Sequence, residues 1–462
     1  MTSAELSELI AAVGDDAVSV DSETLSVYGL DWTRYFEPRP RAVVFPRSVE
    51  HVESVVGWAR RFAVPLVPSG GRTGLSAAAV ASAGEVVVSF DRMNRIGAID
   101  VPARTIEVEP GVVTEALQQH VADHGFYFPV DFASRGSSQI GGNIATNAGG
   151  IKVLRYGLMR DWVAGLQVVT GSGQRLELNR GLVKNATGYD LRHVFIGSEG
   201  TLGFITRAIL KVAESPGPLS VALLALSDLS AIMPVFHAFR AQCELTAFEF
   251  FSDRCRSLVE SKGQVTAPFD SRAAFYGLVE VEHRGADTME RIETAFGSLL
   301  EAGHVLDGVI SQSQSQAAEL WRLREDISEA ATPFTPYKND ISVAVSQVPE
   351  FVHELSSILS EHYPDFEVLW FGHIGDGNVH INVLKPDHLS RDAFYERCQR
   401  VDALVFDAVA RFHGSVSAEH GVGLIKKPFL HHSRSEAEIQ AMREIKRVFD
   451  PDGILNPGKI FD

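Results

Sequence analysis

Two histidines in the second half of the chain have the type and spacing to bind a metal ion. His373 and His380 flank the segment Ile-Gly-Asp-Gly-Asn-Val, and the runs on both sides have the composition of β-strands. Asp376-Gly377 is typical of a two-residue hairpin turn, in which both central residues need a positive φ. Such a turn would place the two histidines directly opposite each other on one face, with Cβ atoms roughly 5 Å apart. Asn382 would project from the same face.

Two ligands rarely hold an ion, and a third is offered by the glycine-rich loop 414–423. Glu419 and His420 are adjacent there, so one side chain can bind metal while the other faces a substrate. A set of two histidines and one carboxylate leaves coordination positions open, which is typical of a catalytic site. Zinc fits this set best, and other divalent first-row metals remain open. On spacing alone, a plain structural role for the two histidines also stays open.

Composition limits the classes of protein that this chain can represent. Its 462 residues predict more than one domain, and 45% hydrophobic with 22% charged residues is normal for a folded protein. A formal charge of −17 argues against a nucleic-acid partner. It also means that an anionic substrate would need local cations or a metal to overcome the general field.

Few features of the sequence indicate a cellular compartment. Cys243, Cys255 and Cys398 match no zinc-ligand or Cys-x-x-Cys spacing, so we expect reduced thiols in a cytoplasmic protein. The first residues lack the pattern of a signal peptide, and no window reaches 18 consecutive apolar residues. The sequence therefore predicts no membrane span.

The pattern of elements predicts two α+β domains. Up to about residue 215, strands alternate with helices and glycine-rich turns, including a helix that begins after Ser48 and ends near Phe62. Glu214-Ser-Pro-Gly-Pro218 is typical of a linker, and the strands and helices after it are consistent with an antiparallel sheet. Near the end, four apolar residues at helical spacing predict a core-facing helix. They are Ile439, Met442, Ile445 and Val448.

Three glycine-rich segments lie in the first half: residues 69–76, 140–150 and 197–203. Consecutive backbone N–H groups in such a segment can form a nest for a pyrophosphate. The Gly-x-Gly-x-x-Gly fingerprint of nicotinamide-binding units is absent from the sequence, as is the Walker loop. Three separate segments favour an extended cofactor over a single phosphate.

These segments resemble the flavin-binding segments of FAD oxidoreductases of the vanillyl-alcohol-oxidase type. Residues 373–380, 417–421 and 455–459 resemble the C-terminal half of the D-2-hydroxyacid dehydrogenase branch of that family, so the resemblance covers roughly residues 40 to 460. It implies an α+β fold, with a two-part FAD-binding domain, an α+β substrate (cap) domain with an antiparallel sheet, and a C-terminal helical segment. The expected boundaries are 1–216, 217–430 and 431–462, with the last segment returning to the FAD domain.

By the resemblance, the first domain binds FAD. Some relatives attach FAD covalently through a histidine near the first glycine loop, but Gly71-Arg-Thr-Gly74 contains none, so we expect non-covalent FAD. The residues implied to contact it are Pro68, Ser69, Gly70, Gly71, Arg72, Thr73, Gly74, Leu75, Ser76, Pro129, Asp131, Ser137, Ile140, Gly141, Gly142, Thr146, Asn147, Gly150, Tyr156, Gly157, Glu199, Gly200, Ile205 and Asn456.

The resemblance also assigns the remaining site residues. It gives the divalent metal, expected to be zinc, to His373, His380 and Glu419, and it makes His420 the catalytic base. Without it, Arg324 would be taken for a helix-surface salt bridge worth ~0.5 kcal/mol. The residues implied to bind substrate are Arg324, Ser328, Lys338, Asn382 and His420, with Ser328 standing where some relatives have threonine.

The implied reaction is the oxidation of a D-2-hydroxy dicarboxylate, D-2-hydroxyglutarate or D-malate, to the 2-keto acid by hydride transfer to flavin. A D-lactate or glycolate dehydrogenase on the same framework remains an alternative, as do a metal-dependent hydrolase and a non-catalytic flavin-binding subunit. The expected electron acceptor is an electron-transferring flavoprotein or a quinone-linked carrier, and a homodimer is expected.

Overall fold

The computed structural model describes residues 1–263, 265–266 and 268–462, and the chain divides into two compact units. The first unit contains Met1–Gly150, Gly157–Ser215 and Glu419–Asp462, and the second contains Ile151–Tyr156 and Pro216–Ala418. The predicted boundaries at 216/217 and 430/431 remain predictions about domains.

The first unit mixes helices with short strands. Its helices are α1 (Ser3–Val13), α2 (Ser22–Tyr28), α3 (Val49–Phe62), α4 (Thr114–Ala122), α5 (Ile140–Thr146), α7 (Met159–Trp162), α8 (Arg192–Phe195) and α16 (Glu436–Phe449). Its strands are β1 (Val18–Ser19), β2 (Ala42–Val44), β3 (Leu66–Ser69), β4 (Val86–Ser89), β5 (Ile96–Asp100), β6 (Thr105–Val108), β7 (Phe126–Tyr127), β8 (Val163–Thr170), β9 (Arg175–Leu178), β10 (Gly203–Lys211) and β11 (Ala213–Glu214).

These strands form two main sheets. One has the order β1-β2-β4-β3, with β2, β4 and β3 parallel, and the other is an antiparallel sheet of order β5-β6-β10-β8-β9. The helix α3 begins after Ser48, whose hydroxyl accepts a hydrogen bond from the His51 N–H, as expected for an N-cap. Val52, Val55 and Val56 are fully buried at helical spacing, so α3 packs one apolar face into the core.

The C-terminal segment adds to the parallel sheet of the first unit. Leu66 in β3 donates its N–H to the Ile454 carbonyl at 2.8 Å and accepts the Asn456 N–H at 2.7 Å. The preceding helix, α16, buries Ile439, as predicted. The prediction of core packing is wrong for the end of that helix, because the side chain of Val448 is 71% exposed.

The second unit is built around one sheet of seven strands. Its strands are β12 (Leu219–Leu226), β13 (Glu244–Ser252), β14 (Phe275–Glu282), β15 (Val305–Ile310), β16 (Tyr337–Ser342), β17 (Val368–Gly372) and β18 (Asn378–Val383). Its helices are α6 (Val153–Tyr156), α9 (Ile232–Gln242), α10 (Asp253–Glu260), α11 (Thr288–Glu301), α12 (Gln314–Glu325), α13 (Ile327–Ala331), α14 (Val348–His362) and α15 (Arg391–Arg411).

The strand order is β15-β12-β14-β13-β17-β18-β16, and every neighbouring pair is antiparallel. This confirms the predicted antiparallel sheet. Among the described residues, no helix combines the length and the apolar composition that crossing a membrane requires.

Candidate active site

A cavity in the first unit brings the three glycine-rich segments together. Fourteen of the residues predicted to contact the cofactor line this cavity, and His420 lines it with them. The fourteen are Pro68, Ser69, Gly70, Gly71, Arg72, Thr73, Gly74, Ser76, Gly141, Gly142, Thr146, Glu199, Gly200 and Ile205.

Backbone packing around the cavity leaves no room for larger residues at two of these positions. A Cβ atom on Gly71 would lie 2.0 Å from the Ser137 carbonyl oxygen. A Cβ on Gly200 would lie 2.3 Å from the Pro68 ring, and Gly200 also has a φ of +69°. Glycine at both positions therefore lets separate segments approach closely enough to enclose a ligand.

Several buried polar atoms on this cavity have no hydrogen-bond partner among the described residues: one carboxylate oxygen of Asp31, the hydroxyls of Ser69 and Ser76, and the amide oxygen of Gln139. Buried polar groups are rarely left without partners, so these atoms fit a cavity that holds a polar ligand. The sequence did not single out Asp31 or Gln139. Gln139 directly precedes a glycine-rich segment, whereas nothing local marks Asp31.

Ten residues predicted to contact the cofactor are not among those lining the cavity: Leu75, Pro129, Asp131, Ser137, Ile140, Asn147, Gly150, Tyr156, Gly157 and Asn456. Several of them have structural contacts instead. Ile140 is fully buried in the core, Asn147 accepts the Arg160 N–H at 3.0 Å, and Tyr156 lies in the second unit. The Asn456 amide donates to the Ala78 and Glu199 carbonyls.

The loop that carries His420 is fixed by a buried carboxylate. Glu199 accepts the Val422 N–H at 2.7 Å and the Gly423 N–H at 2.8 Å. Burial raises the pKa of Glu199 to about 7 against the opposing effect of these two donors. A Cβ on Gly423 would lie 2.0 Å from the Ser76 carbonyl oxygen, so the loop also packs tightly on the first glycine segment.

Glu419 precedes His420 in the same unit. Its carboxylate accepts a hydrogen bond from the Gly150 N–H at 3.0 Å. Gly150 has a φ of +119°, and a Cβ there would lie 2.0 Å from the Asp131 carbonyl oxygen. Gly150 thus contacts the predicted metal ligand Glu419. The role of Glu419 as a metal ligand stays a prediction.

In the second unit, His373 and His380 are neighbours, but the predicted hairpin register is wrong. Phe371 lies opposite His380, and the turn spans residues 374–377. Of the two turn residues, only Gly377 has a positive φ, +87°. A shift of two residues preserves the side-chain face, so the two imidazole centroids still lie 5.2 Å apart.

The longer turn has a local cause. The Asp376 carboxylate accepts the Asn378 N–H at 3.1 Å, which is an Asx-turn and competes with the predicted two-residue turn. The Gly375 N–H donates to the Phe248 carbonyl at 3.0 Å in the neighbouring β13. It is therefore not available to pair with Asn378, as the sequence prediction required.

Each imidazole has a carboxylate beside its Nδ1 atom. The Nδ1 atom of His373 is 2.8 Å from Glu249 Oε1, and that of His380 is 3.3 Å from Asp340 Oδ1. A carboxylate at Nδ1 fixes the orientation of a histidine and directs its Nε2 atom to a metal ion. The donor set therefore fits a metal site.

One face of the sheet carries these groups together with two of the predicted substrate ligands, Lys338 and Asn382. Residues directly opposite in antiparallel strands point to the same side. Lys338 lies opposite Asn382, and Asp340 lies opposite His380. We call this side the charged face, defined by Glu249, Lys338, Asp340, His380 and Asn382.

Of the two cations in this region, Arg324 is buried and Lys338 is half-buried. Burial lowers the pKa of Lys338 below its ordinary value. Arg324, at the end of α12, is 6% exposed, and its guanidinium carbon lies 4.9 Å from the centre of the Phe371 ring. Ser328 follows in the short α13 and is half-buried. Arg324 is thus not the surface ion pair that its sequence alone suggested.

Two acidic residues of this region were missed from the sequence. Asp340 is two positions from Lys338, so the period of a β-strand could have placed it on the same face. Glu249 lies between Phe248 and Phe250 in an apolar strand and is 1% exposed. A lone acid in such a run was the available signal, since buried charges are usually paired.

Comparisons with known proteins match both halves of the chain to families of flavin-dependent enzymes. Residues 40–179 match the family described as "FAD binding domain", and residues 216–460 match the family described as "FAD linked oxidases, C-terminal domain". The structure of 4-ethylphenol oxidase from Gulosibacter chungangensis superimposes with a TM-score of 0.77 at 18% identity, covering 100% of this chain and 98% of that one. The family matches together with the fold identify the chain as an FAD-dependent oxidoreductase of the vanillyl-alcohol-oxidase type.

Two curated proteins named D-2-hydroxyglutarate dehydrogenase are much more similar in sequence. The one from Stutzerimonas stutzeri is 55% identical over 99% of this chain and 98% of that protein. The one from Xanthomonas citri pv. viticola is 51% identical over 100% of this chain and 98% of that protein. The chain belongs to the D-2-hydroxyglutarate dehydrogenase family of FAD-linked oxidases. A metal-dependent hydrolase without redox chemistry is thereby ruled out.

Proposed function

We propose that the protein oxidises a D-2-hydroxy dicarboxylate to the 2-keto acid with FAD and a divalent metal ion. D-2-hydroxyglutarate is the first candidate substrate, because two relatives bear that name at 55% and 51% identity. D-malate, a shorter dicarboxylate, is the second. The observation that carries the proposal is that one region of the second unit holds the buried cation Arg324, the half-buried cation Lys338 and two neighbouring imidazoles.

A carboxylate substrate would relieve the cost of burying these polar groups. Desolvation disfavours the charged form of Lys338, and a carboxylate beside it would offset that cost. The Nδ2 atom of Asn382 and the Nε atom of Arg324 are buried, and neither has a hydrogen-bond partner among the described residues. Both atoms are donors, so they match the acceptor oxygens of a dicarboxylate.

His373, His380 and Glu419 would hold the metal ion, with zinc as the expected metal. The carboxylates of Glu249 and Asp340 orient the two imidazoles, which supports this set. Glu419 directly follows Ala418, the last residue of the second unit. When bound, the ion would polarise the substrate hydroxyl and lower its pKa.

His420 is the proposed base. It lines the cavity of the first unit, and its loop is fixed by Glu199, so the imidazole would be held beside a cofactor bound there. It would take the hydroxyl proton on a ring nitrogen as the C2–H bond breaks. The bound flavin would supply the oxidant by accepting the C2 hydrogen with its electron pair.

Further properties belong to the same proposal. FAD would be bound without a covalent link, because residues 71–74 contain no histidine. The electron acceptor would be an electron-transferring flavoprotein or a quinone-linked carrier. We also propose a cytoplasmic homodimer.

An anaerobic titration of the flavoprotein with D-2-hydroxyglutarate, D-malate, D-lactate and glycolate tests the substrate class. We expect the flavin absorbance to bleach fastest and at the lowest concentration with a dicarboxylate. Faster bleaching by D-lactate or glycolate would favour a dehydrogenase of those acids. No bleaching with any of the four would contradict the proposed reaction.

Removal of the metal ion tests the proposed dependence of the reaction on a divalent metal. Dialysis against a chelator should abolish flavin reduction by substrate, and added zinc should restore it. Reduction at an unchanged rate in metal-free protein would contradict the role of the ion.

A further inference from the structure

Glu249 contacts two groups to which the proposed function gives different tasks. Its Oε1 atom lies 2.8 Å from Nδ1 of His373, a proposed metal ligand. Its Oε2 atom lies 2.8 Å from the same Nδ1 atom and 2.9 Å from Nη2 of Arg324, a proposed ligand of the substrate carboxylate. The side chain of Glu249 is 1% exposed and that of Arg324 is 7% exposed, so water does not screen these contacts.

The three groups balance one another electrostatically. Burial alone would penalise the charge of Glu249, but the imidazole of His373 and the guanidinium of Arg324 lie within 2.9 Å of its carboxylate oxygens and offset that penalty. An ionised buried carboxylate is stable only with such partners. The negative charge of Glu249 is thus divided between the imidazole and the guanidinium.

Arg324 retains donors beyond this contact. Its Nε and Nη2 atoms are buried and have no hydrogen-bond partner among the described residues, so Nη2 meets Glu249 as an ion pair, while Phe371 packs against the guanidinium. Charge attraction to Glu249 and the ring of Phe371 therefore hold the guanidinium in place without a hydrogen bond between Nη2 and Oε2.

We propose that Glu249 is a positioning residue that couples the two halves of the site, by orienting His373 for the metal ion and Arg324 for the substrate carboxylate. The inference rests on the proposed function. The ion would draw the charge of Glu249 towards His373 and leave Arg324 a stronger cation for the substrate. Metal and substrate would then bind cooperatively, each raising the affinity for the other.

The first test is Glu249→Gln, which keeps the shape and removes the charge. In metal-free flavoprotein, zinc affinity is measured by competition with a chromophoric chelator. We expect it to fall about 10- to 100-fold, as is typical when a partner of a metal-bound histidine is lost. Zinc should also tighten the binding of a 2-keto dicarboxylate, followed by the perturbed flavin spectrum, less than it does in the wild type.

Glu280→Gln is the matched control. Glu280 is also a buried acid of the same sheet, one strand away, and it contacts the cation Lys152 and the indole N–H of Trp321. This variant should bind zinc as the wild type does. A drop in zinc affinity in Glu280→Gln equal to that in Glu249→Gln would overturn the specific role of Glu249.

A second variant should change the zinc affinity in the opposite direction. A merely structural role of Glu249 would not predict that increase. Arg324→Met removes the competitor for the charge of Glu249, so zinc affinity should rise at least about threefold, although Arg324 is not a proposed ligand. Unchanged or weaker zinc binding in Arg324→Met would overturn the coupling, and this test stands even if Glu249→Gln does not fold.

Zinc binding by the wild type and by Glu249→Gln distinguishes a failure of the proposed metal site from a failure of the role of Glu249. If the wild type binds no divalent ion, the proposed metal site fails and the coupling fails with it. If the wild type binds zinc and Glu249→Gln binds it equally well, only the role of Glu249 is overturned.

Discussion

The cavity of the first unit and the charged face of the second unit recognise ligands with different parts of the chain. The cavity is lined largely by glycines, small side chains and backbone, whereas the charged face consists of long side chains that other side chains hold in place. A site made of backbone is sensitive to added volume. A site made of buried charges is sensitive to the loss of a partner, even when the volume is conserved.

His420 lines the cavity, but it is an ionisable side chain like those of the charged face. Its removal is therefore the sharpest test of the difference between the two regions. His420→Ala should slow flavin reduction by substrate about 10²- to 10⁴-fold, as is common when an acid–base group is lost. Stopped-flow absorbance measures the rate, and the flavin content should stay unchanged. The control is His388→Ala, at a side chain that is 62% exposed. A near-normal rate in His420→Ala would remove it as the base.

Glu199 is a buried titratable residue of the cavity of the first unit. Its pKa is raised from 4.5 to about 7, so the folded protein holds a proton that the unfolded chain releases at lower pH. The stabilisation is complete below about pH 4.5 and is lost as the pH rises towards 8, by about 3 kcal/mol at most. Glu199→Gln mimics the neutral form and should lack this loss.

Denaturant unfolding at several pH values between 5 and 8 measures this difference. The free energy of unfolding of the wild type, relative to Glu199→Gln, should fall as the pH rises. A constant difference across this range would mean that Glu199 is ionised throughout, and that the cavity tolerates a buried charge as the second unit does.

Lys338 tests the charged face directly. Lys338→Met keeps most of the volume and removes the charge, so binding of a dicarboxylate should weaken about 10- to 150-fold, the equivalent of 1.5–3 kcal/mol for a charged hydrogen bond. D-lactate, which has no second carboxylate, should be affected much less. Saturation of the flavin-reduction rate gives both affinities, and the control is the surface variant Lys262→Met. Equal losses for both acids would place Lys338 away from the distal carboxylate.

The same contrast explains how far the sequence could predict the site. The glycine segments are local patterns, so the sequence alone, with the family resemblance it carries, predicts fourteen of the residues that line the cavity. The period of two along β18 likewise puts His380 and Asn382 on one face. Local patterns survive folding because each depends on only a few neighbouring residues.

The partners of buried charges do not leave such patterns. Glu249 lies 124 residues from His373 along the chain, and no spacing rule connects them. The predicted hairpin is wrong by two residues because the carboxylate of Asp376 makes its own turn and Gly375 bonds to β13. The hydrogen bond from Gly375 to β13 exists only when that neighbouring strand is in place. Asp31 likewise reaches the cavity only because the fold brings it there.

The smallest effect that still separates the two regions is steric. Gly71→Ala adds one methyl group where the Ser137 carbonyl oxygen is 2.0 Å away, and overpacking of this kind typically costs about 1–3 kcal/mol. We expect FAD affinity to fall about tenfold, measured by fluorescence quenching during titration of FAD-free protein.

The control is Gly57→Ala, because the added Cβ meets no atom within 4 Å and Gly57 lies inside α3. There alanine should preserve FAD binding and raise the free energy of unfolding by about 0.5–1 kcal/mol. If Gly71→Ala bound FAD as tightly as Gly57→Ala, the close approach of residues 71 and 137 would not matter for the cofactor. The cavity would then have to depend on its polar side chains, as the charged face does.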